Sequence, residues 1–196
     1  MKTRGRNPAY TVLSVSLLIA FAVLALFYFV YLVSPLHTLS GLALNDETIP
    51  VSITVYGRGN DTISARLVFY AADGTVLNTV ERSWPGWEIS LDVLTIKSGS
   101  GWIIFPLTVR TDETRDGQGV TVLRYYSRSG FPALYESGRI AVREQNALRR
   151  LFSFGKHDFA ILFSRKFQHR VATLREFETG TEYFLFVDSM GNLSFR

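Results

Sequence analysis

The sequence predicts a single membrane-spanning helix followed by a mainly β (α+β) domain outside the membrane, with antiparallel, sandwich-like strands and one amphipathic helix. Three observations carry this reading. An uncharged apolar run extends from Ala9 to Val33, apolar and polar residues alternate from Val51 onward, and the period turns helical between Arg139 and Phe154.

The run AYTVLSVSLLIAFAVLALFYFVYLV holds 25 residues without a charge. At 1.5 Å per residue it reaches roughly 37 Å against a hydrocarbon core of about 30 Å, so it spans with modest tilt. A secretory apolar core is only about 7–15 residues long and precedes a small-residue cleavage site. The nearest candidates, Thr38-Leu39-Ser40 and Gly41-Leu42-Ala43, match poorly, and the absence of cysteine excludes a lipid-modified cysteine. We therefore read residues 1–8 as a basic tail, 9–33 as an uncleaved signal anchor, 34–48 as a short tether and 49–196 as the outer domain.

Lys2, Arg4 and Arg6 precede the run, whereas the first charges after it are Asp46 and Glu47. This asymmetry predicts a cytoplasmic N-terminus and an extracytoplasmic, periplasmic or envelope-facing C-terminal domain. Tyr10 at one end and Phe27, Tyr28, Phe29 and Tyr31 at the other fit rings anchored at the two interfaces. Residues 9–33 thus take the lipid bilayer as partner, and the small-x-x-x-small pair Ser16 and Ala20 offers a contact for a weak homodimer through the span.

Three of the 21 basic residues lie before the span, which leaves 18 against 17 acidic residues beyond it. The basicity is mostly a topology signal, and a near-neutral outer domain gives no nucleic-acid footprint. Without cysteine the domain folds without disulfides, which its length permits, since about 70% of the unfolded surface is buried at this size.

Val51, Ile53 and Val55, then Ile63, Ala65, Leu67 and Phe69, read as strands with one wet face. Asp73-Gly74 predicts a type I′ hairpin into TVLNTVERSW. WEISLDVLTI, WIIFPLTVR and GVTVLRYYSR read as further strands, the second bulged or at an edge because Pro106 donates nothing to a ladder. In RIAVREQNALRRLFSF, Ala141, Ala147, Leu148, Leu151 and Phe152 share one helical face. HDFAILFSRKF, RVATLREFET and EYFLFVDSMGNLSF return the chain to β structure.

Two groups of residues are candidate partner-binding sites. Trp84 and Trp87 flank Pro85-Gly86, a tight turn that either presents two rings to a ligand, a partner or the headgroup layer, or clasps strands together. Arg139, Arg143 and Arg150 form a stripe on the amphipathic helix, with Arg149 beside it and Glu144 partly offsetting it. Such a stripe suits an anionic lipid or acidic partner, and equally a solvated face.

Catalytic and metal patterns are not found. His37, His157 and His169 lack informative ligand spacing, and the segment from Thr111 fails the calcium-loop register. Ser98-Gly99-Ser100-Gly101 is not a nucleophile elbow, and Glu88 and Asp92 would stand roughly 13 Å apart on a strand. No metal, cofactor or catalytic residue is assigned. The function class is a non-catalytic, membrane-anchored envelope protein whose outer domain binds a membrane or envelope protein partner or scaffolds an assembly. The alternative is a membrane-tethered enzyme acting on cell-envelope material.

Overall fold

With no charge or internal proline to interrupt it, the apolar run propagates as helix. The computed structural model describes residues 8–41, 49–99, 101–114, 119–136, 140–155 and 166–196. Helix α1 covers Pro8–Tyr28, a π-helical turn follows at Phe29–Val33, α2 covers Ser34–Thr38, and a 3-10 turn closes the segment at Leu39–Gly41. The helical stretch Val12–Thr38 is long and apolar enough to cross a membrane, and none of its most apolar window is buried by protein. Leu18 and Phe21 are 70% and 72% exposed. An all-round apolar helix left uncovered in this way requires lipid around it, so the chain is a single-pass, membrane-anchored protein.

The segment expected to be a tether is not a loose connection over its described part. Leu36 and Leu39 are buried in the core of the following domain, and Phe27 lies 6.3 Å, ring to ring, from Phe154. Apolar residues at 36 and 39 continue a helical stripe past the span, which gives the domain a face to pack against.

Eight-residue β1 (Val51–Arg58) pairs antiparallel with β2 (Thr62–Tyr70), and β2 with β3 (Val76–Pro85). With β10 (Glu182–Val187) and β11 (Leu193–Phe195) they form a sheet ordered β11-β10-β1-β2-β3. The second sheet, ordered β6-β5-β4-β9, contains β4 (Ile89–Ser98), β5 (Gly101–Thr111), β6 (Val120–Thr121) and β9 (Phe167–Leu174). Ile53, Ile63, Leu67 and Phe69 of the first sheet and Leu91, Val93 and Val109 of the second belong to one apolar core. The sequence of β4 is buried on both faces because α4 (Val142–Gly155) covers the outer side of its sheet. Phe152 of α4 stands 5.2 Å from Phe105, and Phe154 stands 5.8 Å from Phe167. Strands covered on both faces lose the clean alternation that marks a half-wet strand.

The helix carries most of the expected apolar face, with Ala147, Leu148, Leu151 and Phe152 buried, but Ala141 precedes the helix and is exposed. Glu144 is spent on its N-terminus, accepting the Ala141 N–H at 3.0 Å, as in the reciprocal half of a capping box. The predicted bulge at Pro106 is present, since register shifts between Asp92 and Val93 as β4 meets β5.

Three expectations need correction or fall elsewhere. The Asp73-Gly74 hairpin exists, but only Gly74 has positive φ, at 81°, and its N–H donates to Ala71 O at 2.9 Å. Asp73 keeps a right-handed backbone and accepts the Thr75 N–H, so the loop is a type I turn closed by a left-handed glycine. GVTVLRYYSR is not one strand: after β6 the chain makes a helical turn, α3 (Leu123–Tyr126), before the short β7 (Ser127–Arg128), which pairs with β8 (Phe131–Pro132). The turn has a physical reason. It brings the buried Tyr126 hydroxyl to Pro106 O at 2.5 Å, while Tyr135 OH donates to Ile104 O at 2.7 Å and accepts from Ile104 N. Two phenols thereby satisfy the outer edge of β5 where no strand flanks it. The strand expected in HDFAILFSRKF falls largely outside the described residues, as does Arg139.

Candidate functional site

The domain has two ends of different chemistry. The β4–β5 hairpin tip reaches the helical segment, where Ser98 and Gly99 line one crevice with Tyr28 and Ser40. This end is membrane-proximal. β4 runs away from it for roughly 30 Å, so the β3–β4 turn bearing Trp87 lies at the membrane-distal end.

At the proximal end, two crevices border the helical segment on different sides. One, of 180 Å³, lies between α2 and α4 and is lined by Ser34, Thr38, Arg143, Asn146 and Arg150. Arg143, Ala147 and Arg150 are three and four residues apart, which places them on one face of α4. Arg149 is exposed and does not line this crevice. The other crevice, of 290 Å³, lies between the helical segment and the β4–β5 hairpin, with Lys97 and Lys166 on its walls. Gly99 is held at φ 58°, and a Cβ there would fall 2.3 Å from Ser40 O, so hairpin and helix approach closely at a glycine.

At the distal end, Gly86 takes the positive φ expected of the Trp84–Trp87 turn, at 115°. The two indoles part company there. Trp84 is 4% exposed and belongs to the core, whereas Trp87 is 46% exposed. The Arg58 guanidinium lies over Trp87 at 4.6 Å and over Phe177 at 5.6 Å, so a cation is held against two rings at the surface. The Asp112 carboxylate accepts the amides of Trp87 at 2.7 Å and Glu88 at 3.2 Å. Burial opposes its ionisation, but these amides outweigh burial and hold the carboxyl below its ordinary value.

Trp87 therefore lies at the end of the domain away from the helical segment, and Trp84 is not a surface ring. Glu88 and Asp92 are occupied by arginines, Arg175 at 2.7 Å and Arg110 at 2.8 Å. His37 and His169 are exposed, His157 lies outside the described residues, and no group of three potential metal ligands gathers among the described residues. The sequence reading missed Arg58, Phe177, Lys97 and Lys166, and weighed Ser98 only as a nucleophile. Lys97 was visible as a charge beside a glycine-rich hairpin, but nothing in the sequence linked that hairpin to the end of the span. No protein family, characterised protein or solved structure matches the chain.

Proposed function

We propose that this is a non-catalytic envelope protein with a cytoplasmic N-terminus, an uncleaved anchor and an outer β domain that holds a macromolecular partner at its membrane-distal end. The observation that carries this reading is the Arg58–Trp87–Phe177 cluster. A cation held over an exposed indole and a half-buried phenyl ring combines desolvatable area with charge, the chemistry enriched where interfaces concentrate their binding energy. Arg143 and Arg150, at the opposite end, face the headgroup side and help seat the domain on the bilayer.

A photocrosslinking residue in place of Tyr56, which is 47% exposed two positions before Arg58, tests it in intact cells. A discrete adduct that disappears in Trp87→Ala, with none from the same probe at Val76 near the proximal end, is the expected result. An adduct indifferent to Trp87→Ala would overturn the distal-interface reading. Orientation is checked separately. The chain has no cysteine, so Thr3→Cys and Thr79→Cys report sidedness alone; an impermeant maleimide should label only the second from outside.

A further inference from the structure

The crevice between the helical segment and the β4–β5 hairpin has features that Arg143 and Arg150 do not share. Ser98 is 3% exposed, and its hydroxyl has no hydrogen-bond partner. A buried hydroxyl left unmatched costs free energy, and such groups in folded proteins call for an explanation, a ligand among them. Lys97 and Lys166 stand on the same walls, joined through the backbone by Lys97 N–H donating to Lys166 O at 3.0 Å. The Lys97 ammonium lies 5.8 Å from the Trp102 ring, which steers its stem along the hairpin.

The lower walls are apolar. Tyr28, Val33 and Leu36 line the crevice, and the first two belong to the uncharged run. Tyr28 lies about 30 Å along the helix from Pro8, the thickness of the hydrocarbon core, so the crevice opens at the level where acyl chains give way to headgroups. Lys97, Lys166 and Ser98 line the crevice on the domain side, and the helical side contributes aliphatic and aromatic surface. Its 290 Å³ is at the small end for ligand cavities, enough for a headgroup but not for a bulky solute.

We propose that this crevice binds the phosphate of an anionic phospholipid, with Ser98 donating to a phosphate oxygen, Lys97 and Lys166 neutralising it, and the lipid's chains lying along Tyr28 and Val33. The proposal rests on residues 9–33 lying in the bilayer, and goes beyond partner binding at the distal end.

The test uses the full chain reconstituted in nanodiscs of mixed phosphatidylglycerol and phosphatidylcholine, with retained lipid identified by native mass spectrometry after release. Each lysine near an anionic surface contributes about fivefold, so the pair predicts roughly a twenty-five-fold preference for phosphatidylglycerol. Lys97→Gln and Lys166→Gln should each reduce it about fivefold, and Lys97→Arg should restore it. Ser98→Ala leaves the net charge unchanged and removes a hydrogen bond to a phosphate oxygen that both lipids carry, so it should lower the total lipid retained roughly tenfold without changing the preference. Lipid retention undiminished by Ser98→Ala means diffuse charge attraction and overturns the site, as does equal retention of both lipids by the unaltered chain. Displacement of the retained lipid by inorganic phosphate would assign the crevice to a free anion instead. Failure of the chain to remain with membranes after alkaline carbonate washing would defeat the anchor reading; a retained chain without lipid preference defeats only the headgroup site.

Discussion

Gly99→Ala probes the joint between span and domain, and the structure supplies its own control. Gly74 and Gly99 both have positive φ, 81° and 58°, but a Cβ on Gly74 meets nothing within 4 Å, whereas one on Gly99 would sit 2.3 Å from the backbone oxygen of Ser40. Left-handed backbone costs an L-residue roughly 1–2 kcal/mol, so Gly74→Ala should lower stability by about that much. Gly99→Ala carries the same cost plus the displacement of a backbone segment, comparable to overpacking at about 1–3 kcal/mol. The expected difference between the two variants is about 2 kcal/mol, or roughly 4–8 °C in Tm for a domain of this size. Thermal unfolding of the full chain in detergent, followed by tryptophan fluorescence, measures both. Limited proteolysis should also cut the Gly99→Ala protein near Ser40 while sparing Gly74→Ala. Equal Tm losses and equal proteolysis would show that hairpin and helix do not meet at this point, and the crevice they bound would lose its walls.

Other consequences are more local. Burial pushes the Tyr135 phenol well above its ordinary value, whereas in the unfolded chain it ionises near pH 10, so its contribution is complete below about pH 10 and declines as pH rises toward the folded value. Tyr135→Phe should cost about 1–3 kcal/mol at neutral pH by leaving Ile104 N–H and C=O unmatched, and should flatten the alkaline loss of stability in denaturant titrations. The Asp112 carboxyl is held below its ordinary value, so its support is present above about pH 4 and fades as pH falls through the lower folded value. Asp112→Ala should cost about 1 kcal/mol, remove that acid dependence and shift Trp87 emission as its turn loosens, all readable in one pH-resolved fluorescence series. Ser16→Leu with Ala20→Leu should reduce chemical crosslinking between spans without changing the outer domain's Tm; unchanged crosslinking would remove the small-residue face as the contact.

The legible part of the fold was the part governed by local periodicity. The charge-free run, the alternation in β1 and β2 and the 3.6-residue period of α4 are written in neighbouring residues, and each folded accordingly. What periodicity could not convey was burial from two sides. Leu36 and Leu39 looked like scattered apolar residues in a connector because the surfaces that cover them lie much later in the chain. The same reason hid α3: Tyr125-Tyr126 reads as strand, yet the need to satisfy Pro106 O over the exposed edge of β5 outweighs that preference. At the candidate sites, Trp87 and the Arg143–Arg150 stripe were visible as residue types. Trp84 could not be separated from Trp87, since both flank the same turn and only the sheet decides which ring faces inward.

The continuity of span and domain bears on how the two ends work together. A flexible stalk would let the domain tumble, and a distal patch would then meet partners in any orientation. Here the helix enters the core through Leu36 and Leu39, and hairpin and α4 grip it from different sides. Gly99 keeps one grip close, and the Phe27–Phe154 contact extends the other down to the outer end of the span. The Arg58–Trp87–Phe177 cluster is consequently carried in a fixed position relative to the helical segment. A fixed presentation lowers the orientational cost of meeting a partner that is itself membrane-bound, because both are already confined to the same plane. If the distal cluster binds as proposed, the arrangement favours a partner embedded in or lying on the same membrane over a freely diffusing one, and makes the proximal grips as necessary to binding as the distal rings.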